Sequence, residues 1–239
     1  MPVKDSSKGA LAPLLLLWRR LGSVAIAGLL TACSSHSPPP TTFATGYVGD
    51  RAVVRVWRKD DSQQHSTQLV TLSNALQDDN LWPDRHGVET RYLFVQDHLR
   101  EIKRSYRGAH PESLHLRFAD DGTVSFMQRQ LDDRRESVSG DEIALFQFDA
   151  KRVLELSEVL RTGSVKLRQG LLQGNRVLTC DGQNVSPDFD RLSLRWIAEQ
   201  RQHRPEVTQR VAWLDAPAGT QLLLVAEEDL CQWKPFLSE

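Results

Sequence analysis

No apolar stretch at the N-terminus of this 239-residue chain is long enough to cross a membrane. The run Leu21 to Leu30 is ten residues, against the roughly 20 that span about 30 Å of hydrocarbon. An earlier run, Leu11 to Trp18, is cut off from it by Arg19-Arg20, so a permanent transmembrane helix is not expected. The chain also lacks a surplus of positive charge, with 30 basic and 31 acidic residues and a net charge of −1. Nucleic-acid binding needs dense Lys/Arg to displace counterions, and it is not expected here. Seven histidines occur without an H-E-x-x-H or H-x-H arrangement, which gives no zinc signature. G-x-S-x-G, S-x-x-K and glycine-rich phosphate loops are missing too, so no catalytic nucleophile or nucleotide site is visible. Neither a 20- to 50-residue repeat nor a heptad pattern interrupts this picture, and solenoid and coiled-coil architectures drop out.

What is present begins at the N-terminus. Positive charges, the apolar run and the small residues Thr31-Ala32 ahead of Cys33 have the layout of a secretory signal. The tetrad Leu30-Thr31-Ala32-Cys33 resembles the lipobox of bacterial lipoproteins. That resemblance implies cleavage between Ala32 and Cys33, a diacylglyceryl group on the Cys33 thiol, and anchoring of residues 33 onward to a membrane by several acyl chains. Ser34 stands where an inner-membrane retention signal shows Asp, so the resemblance further implies the outer membrane, with the protein facing the periplasm. The alternative is an ordinary cleaved signal, residues 1–32, followed by an incidental cysteine.

Loss of residues 1–32 removes four of the basic residues (Lys4, Lys8, Arg19, Arg20) and one acid (Asp5), leaving a mildly acidic mature chain. Of three cysteines, Cys180 and Cys231 then remain. In an oxidising compartment a disulfide between them is the expected use; two buried thiols or a catalytic thiol are the alternatives. Residues 33–46, rich in Pro, Ser and Thr, read as an extended tether, and residues 47–239 as one globular domain.

The domain is expected to be α+β, mainly antiparallel sheet with one or two packed helices. Val53 to Trp57, Gln68 to Leu72, Thr90 to Val95 and Leu99 to Tyr106 carry β-branched and aromatic residues between turn formers, as strands do. Asp120-Asp121-Gly122 predicts a hairpin joining Leu114–Phe118 to Val124–Leu131, the second strand half-buried. Ser139-Gly140-Asp141-Glu142 matches a capping box. It opens a helix with a stripe at Ile143, Phe146, Ala150, Val153, Ser157 and Leu160, ended by Gly163. Leu145 and Phe148 fall off that stripe, which predicts a break near Asp149 or a second cover. Strands Val165–Leu172 and Arg176–Cys180 around Gly174-Asn175, a helix over Asp190–Arg201 packing Leu194 and Ile197, and a hairpin of Val207–Leu214 with Gln221–Ala226 complete the pattern. The apolar Leu222 to Val225 reads as a central strand covered on both faces.

Candidate sites are few. His98 with Glu101, or His110 with His115, are the only metal pairs weighed, and exposed loop residues are the plainer account. Asp78, Asp79, Asn80 and Asp84 lack the glycine and terminal glutamate of a calcium loop. No spacing singles out a catalytic pair among Glu89, Asp97, Glu112, Asp120 and Asp121, and the expectation is a protein without catalytic residues, metal or cofactor. Among the tryptophans, Trp82, in the polar stretch from Asp79 to Gly87, is the candidate exposed anchor for a glycan or partner protein; the three in the last 44 residues read as core.

Several blocks resemble the YjaH-type lipoproteins of enterobacteria, a family of uncharacterised proteins. They are Cys33 through Pro40, Gly46-Tyr47-Val48, Val54 through Asp60, Ser125 through Arg129, Ala212 through Pro217, and Gln221 through Ala226. Together they run over nearly the whole mature chain. The resemblance implies an envelope lipoprotein and no particular chemistry, so the expected role is non-catalytic, binding an envelope partner protein or supporting envelope integrity. A small-ligand or glycan-binding lipoprotein is the second expectation and a hydrolase the third.

Overall fold

The computed structural model describes residues 39–77, 80–83, 87–106, 110–203, 205–233 and 235–236, all within one compact unit, Pro38–Glu239. The chain is α+β and mainly antiparallel. Strands β1 (Thr41–Val48), β2 (Ala52–Asp61), β3 (Ser66–Gln77), β4 (Asn80–Pro83), β5 (Val88–Val95), β6 (His98–Tyr106), β7 (Glu112–Phe118), β8 (Val124–Leu131) and β9 (Arg134–Glu136) come first. Helix α1 (Gly140–Thr162) follows, then β10 (Lys166–Gln173), β11 (Arg176–Thr179), β12 (Asn184–Val185), helix α2 (Arg191–His203), β13 (Arg210–Ala216) and β14 (Gly219–Ala226). The first sheet runs β1-β2-β3-β5-β6-β7-β8-β9, with β4 attached to β3, and the second runs β12-β11-β10-β13-β14.

Period-two alternation in β2 sorts its side chains between two cores. Val54 and Val56 join Leu69, Tyr92, Ile102, Leu116 and, from α1, Ala150 and Val153. Val53 points the other way and packs with Ala212, Leu214, Leu223, Leu224 and Leu230. The far face of the second sheet meets α2 through Val177, Phe189, Ile197 and Trp213. The layers are therefore helix, sheet, sheet, helix, with the second sheet covering only the β1–β2 end of the first.

Helix α1 starts as its capping box requires: the Ser139 hydroxyl accepts from the Glu142 amide at 3.2 Å, and the Ser139 amide donates to the Glu142 carboxylate at 2.9 Å. It then runs unbroken to Thr162, so neither the break near Asp149 nor the second cover exists. Leu145 and Phe148 lie 58% and 63% exposed on its outer side. At its end Gly163 is right-handed, and the positive φ falls on Ser164. Arg58 ties this helix to the sheet. Its guanidinium donates to Asp60 at 2.8 Å and to the Ser157 hydroxyl at 3.1 Å, and it pairs with Glu158 at 3.0 Å, so a mostly buried charge has its donors met.

Four expectations need correction. The tether was expected to run to residue 46, yet β1 begins at Thr41 and pairs through Val48 with β2; three threonines, Phe43 and Tyr47 outweigh the proline-rich composition just before them. Strand β8 is not half-buried: Val124, Phe126 and Met127 are 36–43% exposed, Phe126 on the face away from α1, beside His115 and Arg117, while α1 packs mainly over β1 and β6. Leu194 is exposed on α2, which buries Ile197 and Gln200 instead. Strand β14 is the last strand of its sheet and not a central one. It is buried on both faces through a bulge between Ala212 and Trp213: Leu223 and Leu224 turn to the inter-sheet core while Leu222 and Val225 face the α2 side.

Gly170 marks the tightest approach in the second sheet. A Cβ there would lie 2.3 Å from the Leu178 carbonyl oxygen and 2.8 Å from the Thr179 Cα. Both are backbone atoms of the paired strand and cannot step aside singly. Gly170→Ala is expected to lower the unfolding free energy by about 1–3 kcal/mol, the usual range for overpacking; an unchanged urea midpoint would show that β10 and β11 do not meet this closely.

Candidate functional site

The second sheet carries the disulfide. Cys180, just past β11, and Cys231, just past β14, are bonded at 2.06 Å across a separation of 51 residues. The bond pins the C-terminal segment beside β10 and β1. Leu230 sinks into the inter-sheet core at 2% exposure. Asp229 accepts from the Cys231 amide at 3.1 Å and pairs with Arg210 at 3.3 Å. Thus held, the segment carries Trp233 against Trp57 of β2, with ring centroids 4.8 Å apart and planes tilted by 56°.

Between this segment and the sheets lies a cleft of about 420 Å³. Thr42, Phe43 and Ala44 of β1 and Trp57 of β2 line one side, Gln169 with the disulfide and Asp181 another, and Leu230, Trp233, Pro235 and Phe236 the third. Such a lining, mostly apolar with a few polar groups, and such a volume fit the usual small-ligand site. Behind it sits Arg55, only 1% exposed. Its guanidinium donates to Gln169 Oε1 at 2.8 Å and to Asn74 Oδ1 at 3.3 Å, approaches Glu228 to 3.8 Å, and lies 5.8 Å from the Trp57 ring centroid. Burial pulls its pKa down to about 10, against the opposing pull of Glu228. Arg55 thereby bridges the two sheets and fixes Gln169 at the cleft wall.

A second polar cluster occupies the open face of the first sheet. Glu101 of β6 accepts from His115 Nε2 at 2.7 Å and pairs with Lys103 at 3.1 Å and Arg117 at 3.3 Å. Phe126 stands edge-on to His115 at 5.0 Å and under Arg117 at 5.5 Å. Partial burial raises the Glu101 pKa, but hydrogen bonds from His115, Lys103 and Arg117 outweigh it, and the carboxyl ends below its ordinary 4.5.

The structure regroups the residues singled out from sequence. Glu101 meets His115, one member of each weighed metal pair, while His110 pairs with Asp132 at 3.5 Å. Among the described residues no group of three or more His, Cys, Asp or Glu could hold a metal ion. Glu89, Glu112 and Asp120 each pair with a different arginine, Arg91, Arg129 and Arg100. Asp78, Asp79 and Asp84 lie outside the described residues, as do Cys33 and the side chains of Asn80 and Trp82, whose backbones form part of β4. Trp213 is core, edge-on to Phe189 at 6.1 Å, and Trp196 packs against the same cluster. The cleft residues Phe43, Trp57, Trp233 and Phe236 were missed. The available signal was Trp233 two positions after a cysteine expected to be bridged; nothing local joined it to β2.

Two outcomes are expected. Replacing both Cys180 and Cys231 by Ser should cost about 4 kcal/mol of stability in the chain-entropy picture of a 51-residue separation and weaken the near-ultraviolet circular dichroism of the Trp57–Trp233 pair. An unaltered denaturation midpoint would contradict it. For Glu101 the lowered pKa means that its stabilisation is complete above the ordinary carboxyl value and lost as pH falls through the lower folded value. The stability gap between the wild type and Glu101→Gln should therefore be widest near neutrality and close below about pH 4; a gap that grows on acidification would reverse the sign.

Residues 44–236 match the family described as "Protein of unknown function (DUF1481)". The "Uncharacterized protein YjaH" of Escherichia coli (strain K12) is 38% identical over 231 residues, covering 96% of each chain. No solved structure matches significantly. With the family's match running from β1 to the segment that closes the cleft, the chain belongs to the DUF1481 family of proteins of unknown function.

Proposed function

We propose that this protein is an envelope lipoprotein that works by binding, with the cleft between Trp57 and Trp233 as its ligand site. The observation that carries the binding role is the cleft itself: an aromatic-lined cavity of about 420 Å³ within the size range of small-ligand sites. Support for the envelope comes from the Leu30-Thr31-Ala32-Cys33 tetrad and from a disulfide of the kind that persists in oxidising compartments. Seven residues separate Cys33 from Thr41, where β1 opens. At about 3.3–3.6 Å per residue this connection reaches less than roughly 30 Å, so a lipid on Cys33 would hold the cleft close to the membrane surface. The outer membrane, periplasmic side, is the proposed site because Ser34 follows the cysteine.

Binding of a partner protein, the other expected role, has its own observation. Leu145, Phe148 and Val159 are 58–66% exposed on α1, large apolar side chains open to solvent among charged ones. That surface is separate from the cleft, so the two roles do not compete for residues.

The test of location is chemical. Wild-type protein from cells fed an alkyne-bearing fatty acid is expected to take up the label and be cut before Cys33, while Cys33→Ser remains unlabelled and unprocessed. Labelling and processing of Cys33→Ser unchanged from wild type would defeat the anchor.

A further inference from the structure

We infer that the cleft receives the hydrocarbon chain of a single-chain anionic amphiphile, with its charged end at Lys59. This rests on the proposal that the cleft is a ligand site and names the class of ligand.

Two polar side chains of the cleft wall, Gln169 and Asp181, are already engaged. Gln169 Oε1 accepts from Arg55 at 2.8 Å, and its amide nitrogen lies 3.5 Å from the Leu230 carbonyl oxygen. Asp181 accepts from the Thr179 hydroxyl and stands 3.8 Å from Arg168. A sugar needs several free donors and acceptors around its hydroxyls, and leaving them unmet costs about 1–3 kcal/mol each. Hydrocarbon needs none. Against Trp57, Trp233, Phe236 and Leu230 it gains about 0.8 kcal/mol per methylene buried, and the volume suits one chain.

A cation stands beside the cleft, next to two of its lining residues. Lys59 follows Trp57 on the same face of β2, directly across from Thr42 of the cleft wall. Its ammonium lies 6.0 Å from the ring centroid of Phe236, another lining residue. Among the described residues Lys59 makes no ion pair. Asp61, next on that face, turns Oδ1 to the amides of Gln63 and Gln64 at 2.9 and 3.1 Å. An apolar trough with Lys59 beside it is complementary to a chain ending in a carboxylate or phosphate. An amide-linked or ester-linked acyl chain, such as those implied on Cys33, brings no such charge.

The experiment uses the full lipidated chain in phosphatidylcholine nanodiscs, titrated with brominated stearate, brominated methyl stearate and a brominated lysophosphatidylglycerol, with tryptophan quenching as the readout. Saturable quenching by the stearate is expected, lost in Trp233→Phe combined with Trp57→Phe. Lys59→Gln should weaken stearate binding about fivefold, the scale of one partly exposed ion pair, and leave the methyl ester unaffected. The lysolipid arm separates a free fatty acid from a headgroup-bearing lipid as the source of the chain. Circular dichroism of each variant reports whether it is folded. No saturable quenching by any amphiphile, or equal effects of Lys59→Gln on acid and ester, overturns the inference. If N-acetylglucosamine oligomers or a peptide shift the tryptophan spectrum saturably instead, the ligand class falls and the binding role survives.

Discussion

Strand β2 is buried on both faces, and nearly every other arrangement in the molecule follows from that. A strand in this position must be apolar in both of its alternating sets. Val54 and Val56 satisfy the helix side, and Val53 the inter-sheet side. The two exceptions among its buried residues are arginines, one on each face. Arg58 is matched on the helix side by Asp60, Ser157 and Glu158, which brings α1 into register with the sheet. Arg55, on the inter-sheet side, is answered chiefly by amide oxygens, with Glu228 at a longer 3.8 Å.

The difference between the two arginines is instructive. A buried cation is costly unless its donors are met, and Arg58 lies between carboxylates that meet that cost directly. Arg55 retains an Nε without a hydrogen-bond partner, and burial, only partly opposed by Glu228, lowers its pKa. What it supplies is position. By holding Gln169 it keeps the one neutral polar side chain of β10 in the cleft wall from turning toward a ligand, and the cleft stays greasy despite a charge directly behind it. Gly46 contributes by omission: a Cβ there would come within 3.1 Å of Leu223 and 2.7 Å of the Val54 carbonyl oxygen, so the two sheets approach closely at the place where Arg55 crosses between them.

Local chemistry in the chain announced much of this fold. The capping box at Ser139, the Asp121-Gly122 turn and the Gly174-Asn175 turn are written in neighbouring residues, and each appears where its own short-range physics puts it. Burial was harder to see. Phe126 and Met127 look like core residues and are exposed, and Leu222–Val225 looks like the middle of a sheet and lies at its end. Both depend on which distant element covers a strand, information absent from any short window. The disulfide pairing was legible once the lipobox resemblance had set Cys33 apart from Cys180 and Cys231. The cleft was not, since it needs Trp57 and Trp233, 176 positions apart, and they meet only because Cys231 is drawn to Cys180.

The placement of β1 has a mechanical consequence. It is the outermost strand of its sheet and the first to follow the N-terminal segment, so any load carried by that segment enters the domain at Thr41, opposite Asp60. A pull along the strand axis is resisted by all eight paired residues of β1 at once, in shear, whereas a pull away from the sheet opens them one at a time from Thr41 onward. Because Thr42 and Ala44 also form part of the cleft wall, peeling of the first few residues would unmake the cavity long before the two cores separate. Attachment at this end of the chain would thus make the shape of the cavity sensitive to the direction in which the domain is held.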